Sequence, residues 1–349
     1  MGTPHTGIWG RTLLESLQQK GFPPEMVAGN TGINIQAMQS DDPRVSFEDL
    51  ALLFERAAEL TGDDLIGFNQ GRNWEFKRGG LVTYTGISSP TVRTLLLNLA
   101  RYQRIIGDAI DIDASSFETH GVAEWQFKVP RSVVRRQYVE FGGTGIVELM
   151  RRLTGRQVTP KKVEFRHFRK SNIKTLSSFF GCPIEFGMDM NRLSFKLSDL
   201  ELPLSSADEN LHRLLRKFGD DALEKLGASG SRPSVVLKVE ACIAANAAST
   251  QASVAKELGM STRTLSRRLS EAGTTFFDIV ENYREAIARS MLAQTDFQIT
   301  EIAYVLGYSD LSTFSTAFKR WTGQTPSQFK GAGTKQSGAT PKVRDRNSY

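Results

Sequence analysis

The sequence predicts an α+β N-terminal domain followed by an all-α domain with two helix-turn-helix units joined by a linker helix. Three observations carry this. Residues 254–323 contain one pattern twice, as VAKELGMSTRTLSRRLSEAG and IAYVLGYSDLSTFSTAFKRWTG. Ala255, Leu258, Gly259 and Ser261 recur 48 positions later as Ala303, Leu306, Gly307 and Ser309. Several stretches between residues 108 and 198 alternate apolar and polar side chains, the period of two that a half-buried strand needs. Other stretches space their apolar residues three and four apart, as one-sided helices do.

Taken in order, residues 1–75 read as helical. LLESLQQKG places Leu13, Leu14 and Leu17 on one side and stops at Gly21. In SFEDLALLFERAAELTGDD, Ser46 is an N-cap with Asp49 three residues on, followed by Leu50, Leu53, Phe54 and Ala57. SPTVRTLLLNLARYQRII puts Pro90 at an early helical position and repeats Leu95, Leu96, Leu99 and Tyr102. DAIDIDAS and VAEWQFKVP alternate across a turn near His120–Gly121, the form of a hairpin. KKVEFRHF and NRLSFKLS alternate similarly, and NIKTLSSFFG between them is a helix ending at Gly181. Helices mixed with strands that need not be parallel give α+β. Residues 207–226 form a last helix with Leu211, Leu215, Phe218, Ala222 and Leu226 on one stripe, which packs within the chain or on a second copy, the first being expected. The predicted division is a domain over 1–227, a linker over 228–234 (ASGSRPS within it), a domain over 235–330, and a disordered basic tail over 331–349.

In each repeat, a Gly at the corner accepts positive φ without steric cost. Ser261 and Ser309 are placed to cap the second helix. Leu265 and Leu269 face inward, leaving Arg263, Ser266, Arg267 and Ser270 outward. Phe314 and Phe318 do the same in the second copy, leaving Ser312, Ser315, Thr316 and Lys319 outward. Such faces offer donors to base edges and phosphates. The joining segment, TTFFDIVENYREAIARSMLAQTDF, has Thr274 or Thr275 as its cap and Phe277, Val280, Ile287, Met291 and Leu292 near helical spacing. One helix there would hold two recognition helices about one turn of B-DNA apart, roughly 34 Å.

Residues 235–330 resemble the DNA-binding domain of the AraC/XylS family of bacterial transcription regulators. The matching residues include Ala255, Leu258, Gly259 and Ser261, then Arg284, Ala288 and Leu292. In the second unit they are Ile302, Ala303, Gly307, Tyr308, Phe314, Phe318 and Lys319, closed by Gly323, Thr325, Pro326 and Phe329. The resemblance implies that Arg263, Ser266 and Arg267 read bases in the first unit and Ser312 and Thr316 in the second. Ser261, Thr262, Arg268, Ser309, Lys319 and Arg320 are the implied backbone contacts. The second-unit readers are short and uncharged. Residues 10–215 resemble an arabinose-binding-type effector domain found in ornithine- and amine-utilisation regulators, through FEDLALLFERAAELTGDDLIGF, VEFRHF and LSSFFGCPIEFGMDMNRLSFKLSDLELPLSSADENL. Together these imply a cytoplasmic, effector-responsive regulator of double-stranded promoter DNA. It acts as an activator by family habit, in which case RNA polymerase is a partner. The effector is a small molecule, with amines and amino acids the first to try, and a homodimer is an assembly to test. An effector pocket should be largely apolar with a few oriented polar groups. Trp74, Phe76, Tyr84, Trp125 and Phe127 are candidate lining residues.

Composition narrows the alternatives. The net charge of +6 is not concentrated where DNA would bind: residues 233–330 hold ten Lys/Arg against nine Asp/Glu. Local placement of Arg263, Arg267 and Arg268 matters more than the sum. The two cysteines, Cys182 and Cys242, are isolated, and the four histidines are scattered, so no metal or other cofactor is expected. No apolar run approaches the roughly 20 residues of a membrane span, and the Met-Gly start is not a secretory signal. FGGTGIVELM at 141–150 lacks the spacing of a phosphate-binding loop, and no GxSxG or HExxH occurs. An enzyme is therefore not expected. Two rivals stay open: a ligand-independent DNA-binding or assembly protein, and an enzyme domain tethered to DNA.

Overall fold

The computed structural model describes residues 2–40, 42–226, 235–245, 249–292 and 297–336. The expected linker at 228–234 and residues 337–349 of the expected tail lie outside the described residues.

The N-terminal part is α+β. A small antiparallel pair, β1 (Pro4–Thr6) and β2 (Arg44–Ser46), brackets α1 (Ile8–Gln19), and both strands lie in the stretch expected to be wholly helical. Helix α2 (Phe47–Thr61) starts as the sequence indicates, with Ser46 Oγ accepting from Asp49 N at 3.0 Å. Then come α3 (Ile66–Asn73), α4 (Gly80–Ile87) and α5 (Val92–Ile106). Pro90 does not sit inside α5. Thr91 is its N-cap, and Pro90 precedes the cap, where a missing N–H costs nothing.

A five-stranded sheet follows, built from β3 (Ile110–Asp113), β4 (Val122–Phe127), β5 (Lys162–Phe165), β6 (Ile184–Phe186) and β7 (Asn191–Ser194), in the order β3-β4-β7-β5-β6. The expected hairpin is present, with Ile112 opposite Trp125, but its connection carries a helical turn, Phe117–His120, before Gly121. Strand β6 is not among the expected strands, its apolar–polar–apolar run of Ile184, Glu185 and Phe186 being only three residues long. It lies parallel to β5, with Val163 opposite Ile184, and the crossover between them contains α7 (Ile173–Phe180), which ends at Gly181 as expected.

Between β4 and β5 runs α6 (Arg136–Thr154). The FGGTG run lies inside this helix rather than in a loop. Its neighbour α3 contributes glycines for the same packing. A Cβ on Gly71 would fall 2.6 Å from the Phe141 carbonyl oxygen, and one on Gly67 would overlap the backbone of Gln137. Helix α8 (Glu209–Lys225) packs on α4 and α5 through His212 and Gly219, the latter directly against the Tyr102 ring. The expected stripe therefore does not pack inward as a whole. Of its members, Leu211 is 40%, Phe218 51% and Leu226 47% exposed.

The C-terminal part is all-α: α9 (Val235–Ala245), α10 (Gln251–Glu257), α11 (Thr262–Glu271), α12 (Phe276–Leu292), α13 (Ile299–Val305), α14 (Leu311–Thr322) and α15 (Pro326–Gln336). It has two small cores. Val239, Val254, Leu265, Leu269 and Ile279 form one, and Ala288, Leu292, Ile302, Phe314 and Phe318 form the other. Helix α12 supplies residues to both, so one rigid rod ties the two units together. Thr275 caps it in a reciprocal box with Asp278. Phe277, expected on its apolar face, is instead 61% exposed. Helix α15 runs beyond the boundary expected at Gly331.

Candidate nucleic-acid interface and internal cavity

The second helix of each helix-turn-helix unit presents a polar face because its apolar side is consumed by the core. In α11, Leu265 and Leu269 are fully buried, while Ser261, Thr262, Arg263, Ser266, Arg267, Arg268 and Ser270 are exposed. Ser261 caps it, its Oγ accepting from Thr264 N at 3.1 Å. Gly259, at φ +66°, makes the corner that L side chains disfavour. Arg267 and Glu271 are 3.6 Å apart with both side chains largely in water, a pairing too weak to hold the guanidinium. Ser266 Oγ accepts from Gln251 Nε2 at 2.6 Å.

In α14, Phe314 and Phe318 are buried, Ser312, Thr316 and Lys319 are exposed, and Ser315 is half-buried. The cap differs from the expected one. Asp310 accepts from Thr313 N at 2.8 Å, and Ser309 donates its hydroxyl to the Asp310 carboxylate at 3.2 Å. A carboxylate complements the helix N-terminus better than a hydroxyl does. Thr313 and the neighbouring donors hold the Asp310 carboxyl below the ordinary carboxylate range. Arg320 ion-pairs with Glu281 of α12 and lies over the Phe277 ring, so it serves the link between the units.

The N-terminal part holds a half-open cavity of about 200 Å³ between the sheet, α5 and α6. Trp74, Trp125 and Phe127 line it as expected from the sequence. Phe76 instead packs edge-on to Trp74 with ring centroids 5.0 Å apart, and Tyr84 is 38% exposed. No Asp, Glu, Lys, Arg or His is among the described residues that line the cavity. An amine or an amino acid would therefore enter it without an ion-pairing partner.

The family comparisons bear on both regions. Residues 21–204 match the model described as the arabinose-binding domain of AraC transcription regulator, N-terminal, and residues 254–332 match a helix-turn-helix domain. The chain belongs to the AraC family of transcription regulators. Such proteins bind DNA through the helix-turn-helix region and carry an effector domain before it, and its relatives are regulators rather than enzymes. The ornithine utilization regulator of Pseudomonas aeruginosa is 24% identical over 93% of this chain and 95% of its own length. The transcriptional regulator VirS of Mycobacterium tuberculosis is 26% identical over 94% and 96% respectively. The crystal structure of the transcriptional regulator CdpR from Pseudomonas aeruginosa aligns over 80% of this chain and 90% of that one, at 21% identity and a TM-score of 0.38. No described helix is long and apolar enough to cross a membrane.

The structure explains the residues that carry the family likeness in the second unit. Arg284 of α12 lies over the Tyr308 ring at 5.0 Å, Ala288 and Leu292 enter the core beside Phe314, and Phe329 packs edge-on to Phe318. They hold α14 against the rod.

Sequence reasoning missed a buried ionic cluster on the other side of α6 from the cavity. Arg169, fully buried, donates to both Glu140 oxygens at 2.7 and 2.8 Å, to Asp64 Oδ2 at 2.7 Å, and to the Asp64 and Ser171 carbonyls. Arg136 donates to Asp64 Oδ1, and His167 Nε2 lies 2.9 Å from Glu140. Burial works against ionising Glu140, but Arg169, His167 and Arg136 outweigh it and hold its carboxyl at about 2. Burial dominates at nearby Glu55 and pushes its carboxyl up to about 7, despite Arg136 and the Gln137 amide. The only sequence signal was a dense run of basic residues, RHFRK, in a supposed strand end. The same segment reaches the DNA-binding region. Lys170 pairs with Glu301 of α13 at 2.6 Å and lies over Phe297, and Phe168 meets Phe297 edge-on.

Proposed function

We propose that this AraC-family protein is an effector-responsive activator in which α11 and α14 enter successive major-groove segments of one promoter site. The observation that carries this is the sharing of α12 by both small cores, because it fixes the two polar faces relative to each other. Arg263, Ser266 and Arg267 read bases from α11, and Ser312 and Thr316 from α14. Ser261, Thr262, Arg268, Ser309 and Lys319 contact phosphates. Arg320 joins them only by leaving Glu281. Because the α14 readers are short, most discrimination falls to α11.

An effector alters DNA binding only if it favours one domain arrangement over another. Helix α6 offers the means, since Phe141 and Gly145 border the cavity while Glu140 pairs with Arg169 and Arg136 shares Asp64 with it. A shift of α6 would carry the 168–170 segment and its hold on Glu301 and Phe297. The exposed apolar residues of α8 support a homodimer through that helix, and RNA polymerase is the partner of the activating form.

The test is binding of the full chain to its own upstream DNA at two salt concentrations, beside a random duplex. Selective, salt-dependent binding is expected. Arg267→Ala should weaken the cognate complex by about 1–3 kcal/mol and the random one by less. Equal losses would reassign Arg267 to phosphate contact, and no selectivity in the unaltered protein would overturn the reading.

A further inference from the structure

Two donors on cavity-lining residues of the effector domain lack acceptors. Trp74 Nε1 and Gln103 Nε2 are buried and unpartnered, and both residues line the cavity. Trp74 is 9% and Gln103 8% exposed, so neither is served by bulk water. An indole N–H can only donate. Two other polar side chains there have partners: Thr83 Oγ1 donates to the Gly79 carbonyl at 3.1 Å, and the Tyr138 hydroxyl lies 3.2 Å from His5 Nε2. The rest of the wall is hydrocarbon and aromatic, including Leu96, Leu99, Ile112, Trp125 and Phe195. Buried donors left unpaired in the wall of an apolar cavity are an uncommon arrangement unless something supplies an acceptor.

We infer that the effector of this protein is an uncharged, mainly apolar molecule with a carbonyl-type acceptor, seated between α5, α6 and the sheet with its oxygen at Trp74 and Gln103. This rests on the effector-responsive reading above and narrows it. A sugar would bury several hydroxyls with no partners, and an ammonium or carboxylate would lose its hydration with no counter-charge. The size follows from the volume: about 200 Å³ is roughly seven water volumes at about 30 Å³ each. A single substituted ring fits that space. Gly142 sets the entrance. It is exposed, it borders the cavity, and a Cβ placed on it meets no atom within 4 Å.

The experiment is titration calorimetry on the full chain with four probes of one size: acetophenone, ethylbenzene, benzylamine and benzoate. Acetophenone should bind at one site. Ethylbenzene, which leaves the donors unpaired, should bind about tenfold more weakly. The two charged probes should be weaker by about a hundredfold or more. The double variant Trp74→Phe with Gln103→Leu should erase the preference for acetophenone over ethylbenzene. Gly142→Phe, which fills the mouth from a helical position, should abolish binding of both while leaving the circular dichroism unchanged. Charged probes binding as well as acetophenone, or a preference that survives the double variant, would overturn the inference. If Gly142→Phe fails to fold, the ranking of the four probes on the unaltered chain still decides. Selective promoter binding measured on the same preparation separates the two readings. Promoter binding without any probe binding sinks the cavity inference alone. The predicted ranking without selective promoter binding upholds the cavity and sinks the regulator mechanism.

Discussion

Replacing Arg169 with Ala should destabilise the N-terminal domain by about 3 kcal/mol, and two routes give that size. Arg169 and Glu140 are both fully buried and joined by two hydrogen bonds, and removing one partner of a buried pair typically costs about 3–5 kcal/mol. Independently, the Glu140 carboxyl stands at about 2 against an ordinary value of 4.5. Were it to return fully, that difference at about 1.4 kcal/mol per unit is worth roughly 3 kcal/mol. His167 and Arg136 stay near Glu140 in the variant, so the lower end of the first range applies. The assay is urea unfolding followed by tryptophan fluorescence, because Trp9, Trp74 and Trp125 all lie in this region. The pH dependence carries a sign. A carboxyl lowered by folding stabilises above its unfolded value of about 4.5 and loses that contribution as pH falls toward 2. The gap between parent and variant should therefore be full at pH 6 and shrink below about pH 4.5. A loss under about 1 kcal/mol at pH 6, or a gap that widens on acidification, would refute the argument that Arg169 neutralises Glu140.

Leu269→Ala should cost the first helix-turn-helix unit about 2–5 kcal/mol, since the side chain is fully buried, and thermal unfolding of the full chain should show an early transition. Asp310→Ala removes the cap of α14 and should cost about 1 kcal/mol, whereas Ser309→Ala should cost much less, a contrast that differential scanning calorimetry can read. Glu55 has the opposite sign to Glu140. Its carboxyl is raised to about 7, so its contribution is complete below about pH 4.5 and is lost as pH rises through 7. Glu55→Gln should gain stability relative to the parent between pH 5 and 8, and the difference between the two is the quantity to follow. His5, which burial lowers to about 4, acts oppositely over the acid side and cancels in that difference.

The second helices of both units were legible because their signals are local. A cap, a corner glycine and two apolar residues one turn apart sit within a dozen positions, and each acts on its own helix whatever surrounds it. Ser46, Thr275 and Gly181 show the same in other elements. Where two local candidates competed, as Ser309 and Asp310 did, the pattern named the wrong one because adjacent polar residues differ only in which reaches the N3 amide. Of the five aromatics expected at the cavity, the three that line it were separable from Phe76 and Tyr84 only by the direction of each side chain.

The sequence alone determined the helices of the two helix-turn-helix units and the rod between them, the family, and the alternation of four of the five sheet strands. These follow from periodicity and near-neighbour hydrogen bonding. The tertiary structure decided what brings distant residues together. Strand β6 alternates over only Ile184, Glu185 and Phe186, too short a run to read, and is fixed by its pairing along β5. Arg169 and Asp64 meet across 105 positions, and the cavity wall draws on helices and strands from Trp9 to Phe195. No local rule encodes such meetings. They arise from packing the whole chain, which decides which charges share a buried space and which donors are left without acceptors.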